Sequence, residues 1–228
     1  MSLAEARDLM RLAEMAAAEA GMVGFVTANA DSAVTLFGGR VAFHGTNPLA
    51  FAAPSGGARP WLIDMATSSI SFNRVLLYRV LGNGLPPAVA ADAEGAPTRD
   101  PNEVRMLLPL GGADFGFKGA ALAGVATVLS AVLQGATLDH AMIPMVGGAD
   151  TATPRGMGQF CLAIDPAFFG GREVFESGMR AYLAALRMSP AREGEEVMAP
   201  GDREWRVEAE RERDGIPIDR QTAAFLGL

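Results

Sequence analysis

Three chemically versatile side chains are scarce here: one cysteine, Cys161, one lysine, Lys118, and two histidines, His44 and His140, in 228 residues. A single cysteine excludes an internal disulfide framework and accords with a reducing, cytoplasmic setting. Its place in the alternating run Gln159-Phe160-Cys161-Leu162-Ala163-Ile164 predicts a buried strand residue rather than a nucleophile. Two histidines and one cysteine are too few soft ligands for a dedicated zinc site, so no metal is expected. The most apolar stretch, Gly119 to Leu133, is too short to span a bilayer, and Met1 leads straight into a charged helix without a signal-peptide pattern. Positive charge is also in deficit. A formal net charge of −7 and a pI near 4.9 argue against nucleic acid as the main partner. Two nucleotide motifs are missing as well. No Gly-x-Gly-x-x-Gly follows a predicted strand, and Lys118 stands in Gly116-Phe117-Lys118-Gly119 without Walker spacing.

With 50% hydrophobic and 20% charged residues, the chain is expected to be globular and well packed. Residues 3 to 20 carry apolar side chains at helical spacing, and Gly21 reads as the C-cap. Met22 to Thr27 follows as a short buried strand, and Gly38-Gly39 marks a tight bend. The organising stretch runs from His44-Gly45-Thr46-Asn47-Pro48 to Asp64-Met65-Ala66-Thr67-Ser68. Its two ends are joined by the extended segment Leu49 to Pro54 and a turn from Ser55 to Pro60. Ser71 to Leu81 fits neither the helical nor the strand period. Met106 to Leu108 reads as a strand. Ala120 to Gln134, apolar on nearly every face, predicts a helix buried on all sides. A helix ending near Met188 and a charged helix stopped by Gly215-Ile216-Pro217 complete the chain.

Polar residues cluster at both ends of the hairpin-like element. Asp64 sits inside the apolar run Trp61 to Ala66, where a buried carboxylate needs partners, which makes it a functional candidate beside the alternative of a turn aspartate. His44 offers a proton donor near neutral pH, or a strand-end residue with a structural hydrogen bond. His140 reads as a surface loop residue. Of the 19 basic residues Lys118 is the only lysine. It falls at or near the N-terminus of the apolar helix, where free backbone N–H groups and the helix dipole favour a phosphate or carboxylate, the alternative being a loop lysine that reaches solvent.

Together these stretches resemble the malate/L-lactate dehydrogenase-like family, the non-Rossmann NAD(P)-dependent oxidoreductases that include sulfolactate, ureidoglycolate and piperideine-2-carboxylate enzymes. The matching segments run in order: Gly38-Gly39, Gly45 to Pro54, Asp64 to Ser68, Asp92 to Pro101, Pro109-Leu110-Gly111-Gly112, Phe117-Lys118-Gly119, Gly158 to Pro166, Pro200-Gly201-Asp202 and Gly215-Ile216-Pro217. The resemblance implies a mixed α/β fold with a largely antiparallel central sheet flanked by helices, a tight homodimer and a dinucleotide site of its own type. It implies that Asp64 supports the catalytic histidine and that Thr46 contacts the substrate carboxylate region. Met65, Ala66 and Thr67 would line NAD(P)H, with Lys118, Pro200, Gly201 and Asp202 approaching it.

This chain also departs from the family pattern. Val89 stands where tryptophan is frequent, and Asp202 where glutamate is. The Ser-His-Gly-type and Ser-x-His-Phe-Gly-type motifs expected ahead of the first helix have no counterpart. Residues 1–228 are therefore expected to be a single truncated oxidoreductase unit, with a cofactor-binding sheet and buried helix over about 22–165 and a C-terminal helical part over 166–228. One subunit of a split reductase of 2-oxo or cyclic imino acids is the favoured expectation, with a partner chain supplying the histidine. A shortened or mis-started homodimeric enzyme and a non-catalytic binding or structural descendant are the others. Each predicts an oligomer with exposed apolar surface.

Overall fold

The computed structural model describes residues 13–144, 150 and 152–227. Residues 13–19 are helical; the earlier part of the expected first helix lies outside the described residues. Gly21 closes that helix at φ +78°, with the Met22 amide donating to the Ala17 carbonyl. Ten residues from Phe72 to Leu81 form α1, which resolves the ambiguous stretch as helix. Ser71 caps it by accepting from the Arg74 amide, and Gly82 ends it in the left-handed region. Flanking caps, more than its weak apolar period, identify this segment as a helix.

Two four-stranded sheets make up the frame. The larger is wholly antiparallel. It contains β1 (Val23–Ala28), β4 (Leu49–Ala53), β5 (Trp61–Met65) and β8 (Gln159–Ile164), in the order β5-β4-β1-β8. The smaller has β2 (Val34–Thr35), β3 (Ala42–His44), β6 (Ala90–Ala91) and β7 (Met106–Leu107), in the order β3-β2-β7-β6 with β2 and β7 parallel. The expected hairpin is therefore β4–β5, with Ala50 opposite Asp64 and Leu49 opposite Met65. Val34, Val75, Leu85, Ala90, Val104 and Leu107 pack α1 against the smaller sheet.

Alternation along β1 directs its two faces to different helices. Val26 and Ala28 pack with Ala50 and Ala13. At Gly24 a Cβ would stand 2.8 Å from the Glu14 carbonyl oxygen, so this close approach requires glycine. On the opposite face Thr27 meets Ser130 and the Ala126 carbonyl. These last two belong to the helix that follows the short α2 (Gly112–Phe115), namely α3 (Phe117–Thr127) and its π-helical extension Val128–Val132.

Two burial expectations are corrected. The apolar helix is not buried on all sides. Ala123, Ala126 and Ala131 are covered, but Val125, Val128, Val132 and Leu133 remain 48–66% exposed. Hydropathy on every face records which surfaces favour burial, without supplying a cover for each. Cys161 is likewise exposed, because β8 is an edge strand whose outer residues, including Leu162 and Ile164, also face out. After β8 come α4 (Arg172–Arg187), α5 (Asp202–Asp214) and α6 (Arg220–Leu226).

Candidate functional site

A cleft of about 750 Å³ opens between edge strand β5 and the start of α5. Asp64, Met65, Pro200 and Gly201 all line it, so two segments far apart in sequence meet at one site. The join is specific. The Leu62 amide donates to the Pro200 carbonyl at 3.4 Å, and the Trp205 indole N–H to the Pro60 carbonyl at 3.1 Å. Gly201 begins α5 at φ +94°, and a Cβ there would lie 3.2 Å from the Leu62 Cβ, so the contact of α5 with β5 depends on glycine. Arg74 from α1 and Arg203 from α5 line the cleft with Asp64, Glu204 and Glu208; Arg203 pairs with Glu204 at 2.6 Å and Arg59 with Glu208 at 2.7 Å. Leu62, Ile63, Met65 and Val207 supply apolar wall.

Asp64 is exposed, which corrects the expectation that it is a buried carboxylate. β5 is an edge strand, so an acidic residue within its apolar run still reaches solvent. Ala66 and Thr67 follow the end of β5, beyond the cleft lining. Thr67 is fully buried, and both its amide and its hydroxyl donate to the Thr46 carbonyl, at 2.9 and 3.0 Å. The Thr67 carbonyl accepts from the Leu110 amide at 2.8 Å, and the Leu110 carbonyl accepts from the Gly119 amide at 3.1 Å. Lys118 therefore stands at the start of α3, next to Gly119, which two hydrogen bonds through Leu110 connect to Thr67. It is exposed, with its ammonium 5.4 Å from the Phe115 ring centre. The Asp202 carboxylate is held by Arg187, at 2.7 and 2.9 Å, and by the Ala199 amide at 2.9 Å. Those bonds keep its pKa below the usual value, the Arg187 pairing being the main cause.

His44 does not line this cleft. It is 8% exposed, and its Nδ1 lies 3.1 Å from Asp139 Oδ2. Asp139, 1% exposed, lies at the centre of a buried polar node. Its Oδ1 accepts from Asn29 Nδ2 at 2.9 Å; its Oδ2 accepts from Asn47 Nδ2 at 2.7 Å, Thr127 Oγ1 at 3.0 Å and the Gly45 amide at 3.2 Å. Burial alone raises this pKa. Hydrogen bonds from His44, Asn29, Asn47 and Gly45 outweigh it and bring the value from 3.8 down to about 2. An ionised carboxylate only accepts, which assigns the His44 Nδ1 proton toward it. His140 is exposed and stacks on Phe43 at 5.0 Å.

Asp139, Arg74 and Arg203 were not singled out from the sequence. Asp139 sits in the three-residue turn Asp139–Ala141, without periodicity or motif. Arg74 and Arg203 are two among many arginines, distinguished only by where α1 and α5 dock.

An antiparallel, non-Rossmann α/β frame with a mixed-charge cleft at its sheet edge defines the structural class. The model of the malate/L-lactate dehydrogenase family matches residues 8–226, and the chain belongs to that family. It is 35% identical over 203 residues to the ureidoglycolate dehydrogenase (NAD(+)) of Escherichia coli O157:H7, covering 89% of this chain and 56% of the relative. To the (2R)-3-sulfolactate dehydrogenase (NADP(+)) of Chromohalobacter salexigens it is 34% identical over 202 residues, covering 85% and 55%. The crystal structure of delta1-piperideine-2-carboxylate reductase from Pseudomonas syringae pvar. tomato superposes with a TM-score of 0.76 at 29% identity, covering 96% of this chain and 63% of that one. The chain thus spans little more than half the length of these sequence relatives. Among the described residues no helix is long and apolar enough to cross a membrane.

Proposed function

We propose that this chain is the dinucleotide-facing subunit of an NAD(P)H-dependent reductase of 2-oxo acids or cyclic 2-imino acids. In reverse it would oxidise a 2-hydroxy acid. The observation that carries the reading is the meeting of Asp64, Met65, Pro200 and Gly201 in one cleft with Arg74 and Arg203. The donor set fits a dinucleotide. Arg74, and Arg203 on exchanging its Glu204 partner, suit a pyrophosphate; the carboxylates of Asp64, Glu204 and Glu208, the last now held by Arg59, suit ribose hydroxyls, and the apolar wall suits ring faces. Family membership and relatives named as NAD(+) and NADP(+) dehydrogenases support the same choice.

The bound dinucleotide supplies a hydride to the C=O or C=N carbon, and the heteroatom takes a proton. A positioned acid contributes about 10²–10⁴-fold to such a step. Both histidines of this chain lie away from the cleft, His44 against Asp139 and His140 against Phe43. That placement supports a second chain as the source of the proton-donating histidine. Thr46, beside Thr67, would adjoin the substrate carboxylate, and Lys118 would add positive charge near the dinucleotide. The exposed strip Val125, Val128, Val132 and Leu133 supports an oligomer, and a free Cys161 suits a cytoplasmic one.

Fluorescence titration of the purified chain with NADH and with NADPH tests the proposal. Saturable binding of either is expected; no binding of either overturns it. The same placement of the histidines favours a second reading, a non-catalytic descendant that binds or braces a partner. Mass spectrometry of the native complex separates the two: a histidine-motif chain alongside this one supports the split reductase, and its absence favours the second reading.

A further inference from the structure

We propose that Asp139 is a positioning residue: its carboxylate locks the Gly45–Asn47 turn, and the Thr46 carbonyl held in that turn fixes the Ala66–Thr67 segment that follows β5 beside the cleft. The path consists of direct contacts. The Gly45 amide and Asn47 Nδ2, on either side of Thr46, both donate to Asp139 Oδ2. Thr46 then presents its carbonyl to the Thr67 amide and hydroxyl. Two residues after Asn47, β4 begins with Leu49 paired to Met65. The position of the turn is thus transmitted to the strand end without any contact between Asp139 and the cleft.

Two further observations point to a device that holds a shape. Asn47 lies at φ +33°, a conformation that asparagine adopts more readily than other residues besides glycine and that its surroundings hold here. The surroundings do so: Asn47 Oδ1 accepts from the Ala30 amide at 3.1 Å, and the two protons of Nδ2 are shared among Asp139 at 2.7 Å, Thr127 Oγ1 at 2.9 Å and the Ala123 carbonyl at 3.2 Å. Donor groups from three segments, at Asn29, His44 to Asn47 and Thr127, meet on one carboxylate. Only an acceptor-only group satisfies them all, since an amide in its place would point an NH₂ at other donors.

The functional consequence rests on the dinucleotide reading; the positional claim does not. Residue-resolved hydrogen exchange on the full chain tests it, comparing wild type with Asp139→Asn and with Thr127→Val. Asp139→Asn is expected to speed exchange at Gly45, Thr67 and Leu110 about tenfold or more beyond any acceleration of the β1–β8 ladder. Thr127→Val removes one donor and leaves the charge, so the same amides should respond less. If Asp139→Asn fails to fold, the Thr127→Val pattern decides. Uniform acceleration, or an unchanged Thr67, overturns the proposal. Titration with NADH and NADPH then separates the two readings. If wild type binds neither, the dinucleotide reading falls and the exchange pattern still decides the positional claim. If wild type binds, about tenfold weaker binding by Asp139→Asn is expected. Unchanged affinity despite selective exchange overturns the functional half.

Discussion

Asp139 and Asp64 place the same side chain in opposite settings. Asp139 is 1% exposed, and its two oxygens receive donors from Asn29, His44, Gly45, Asn47 and Thr127. Asp64 is exposed, on the wall of a 750 Å³ cleft with Arg74 and Arg203. A carboxylate enclosed by donors contributes to the order of the backbone around it. One on an open wall remains accessible to a ligand. Stability should therefore depend on the node and affinity on the cleft.

Asp139→Ala should produce the largest effect. It leaves several buried donors unpaired, and a loss of about 3–5 kcal/mol is expected in chemical denaturation. Asp64→Ala should stay within about 0.5 kcal/mol. Comparable losses would break the distinction. Acid sharpens it. The folded value for Asp139, about 2, lies below its ordinary 3.8, so its stabilising contribution is fully present above pH 3.8. It is lost as pH falls through 3.8 toward 2. Denaturation midpoints of wild type should fall across that window, and Asp139→Asn should lack this component.

The cleft should respond in the other observable. Arg74→Ala is expected to weaken NADH or NADPH binding about tenfold, roughly 1.4 kcal/mol, with the denaturation midpoint nearly unchanged. Equal binding by both proteins would remove Arg74 from the site.

How legible each region was in the sequence follows the same division. A short buried run located β1, an extended apolar segment and a turn the β4–β5 hairpin, alternation β8, and Gly21 a helix end. Those signals act within a few residues of chain. Asp64 attracted notice because its neighbours are apolar, yet strand letters do not reveal that β5 lies at a sheet edge. Asp139 drew none. Its side-chain and amide partners lie 12 to 110 residues away, beyond the reach of any local pattern. The apolar α3 carries the same lesson: its composition indicates burial on every face, while Val128 and Leu133 remain uncovered. Four of the residues singled out for the site do share a cleft, because the family motifs that carry them survive translation into β5 and the start of α5.

The smallest expected effect tests the comparison most directly, because it uses the same substitution in a third setting. Asp202 also has both oxygens engaged, by Arg187 and the Ala199 amide, but the paired side chains are 49% and 21% exposed. Water can replace lost partners there, and salt screens the pair. Asp202→Asn should cost less than about 1 kcal/mol, and less again at high ionic strength. If it instead matched Asp139→Asn, the number of hydrogen bonds rather than burial would govern the cost, and the contrast between node and cleft would fail. Its effect on dinucleotide affinity is equally informative. A small change fits a carboxylate that steadies Pro200 and Gly201 from behind, whereas a loss as large as that of Arg74→Ala would mean that Asp202 meets the ligand itself.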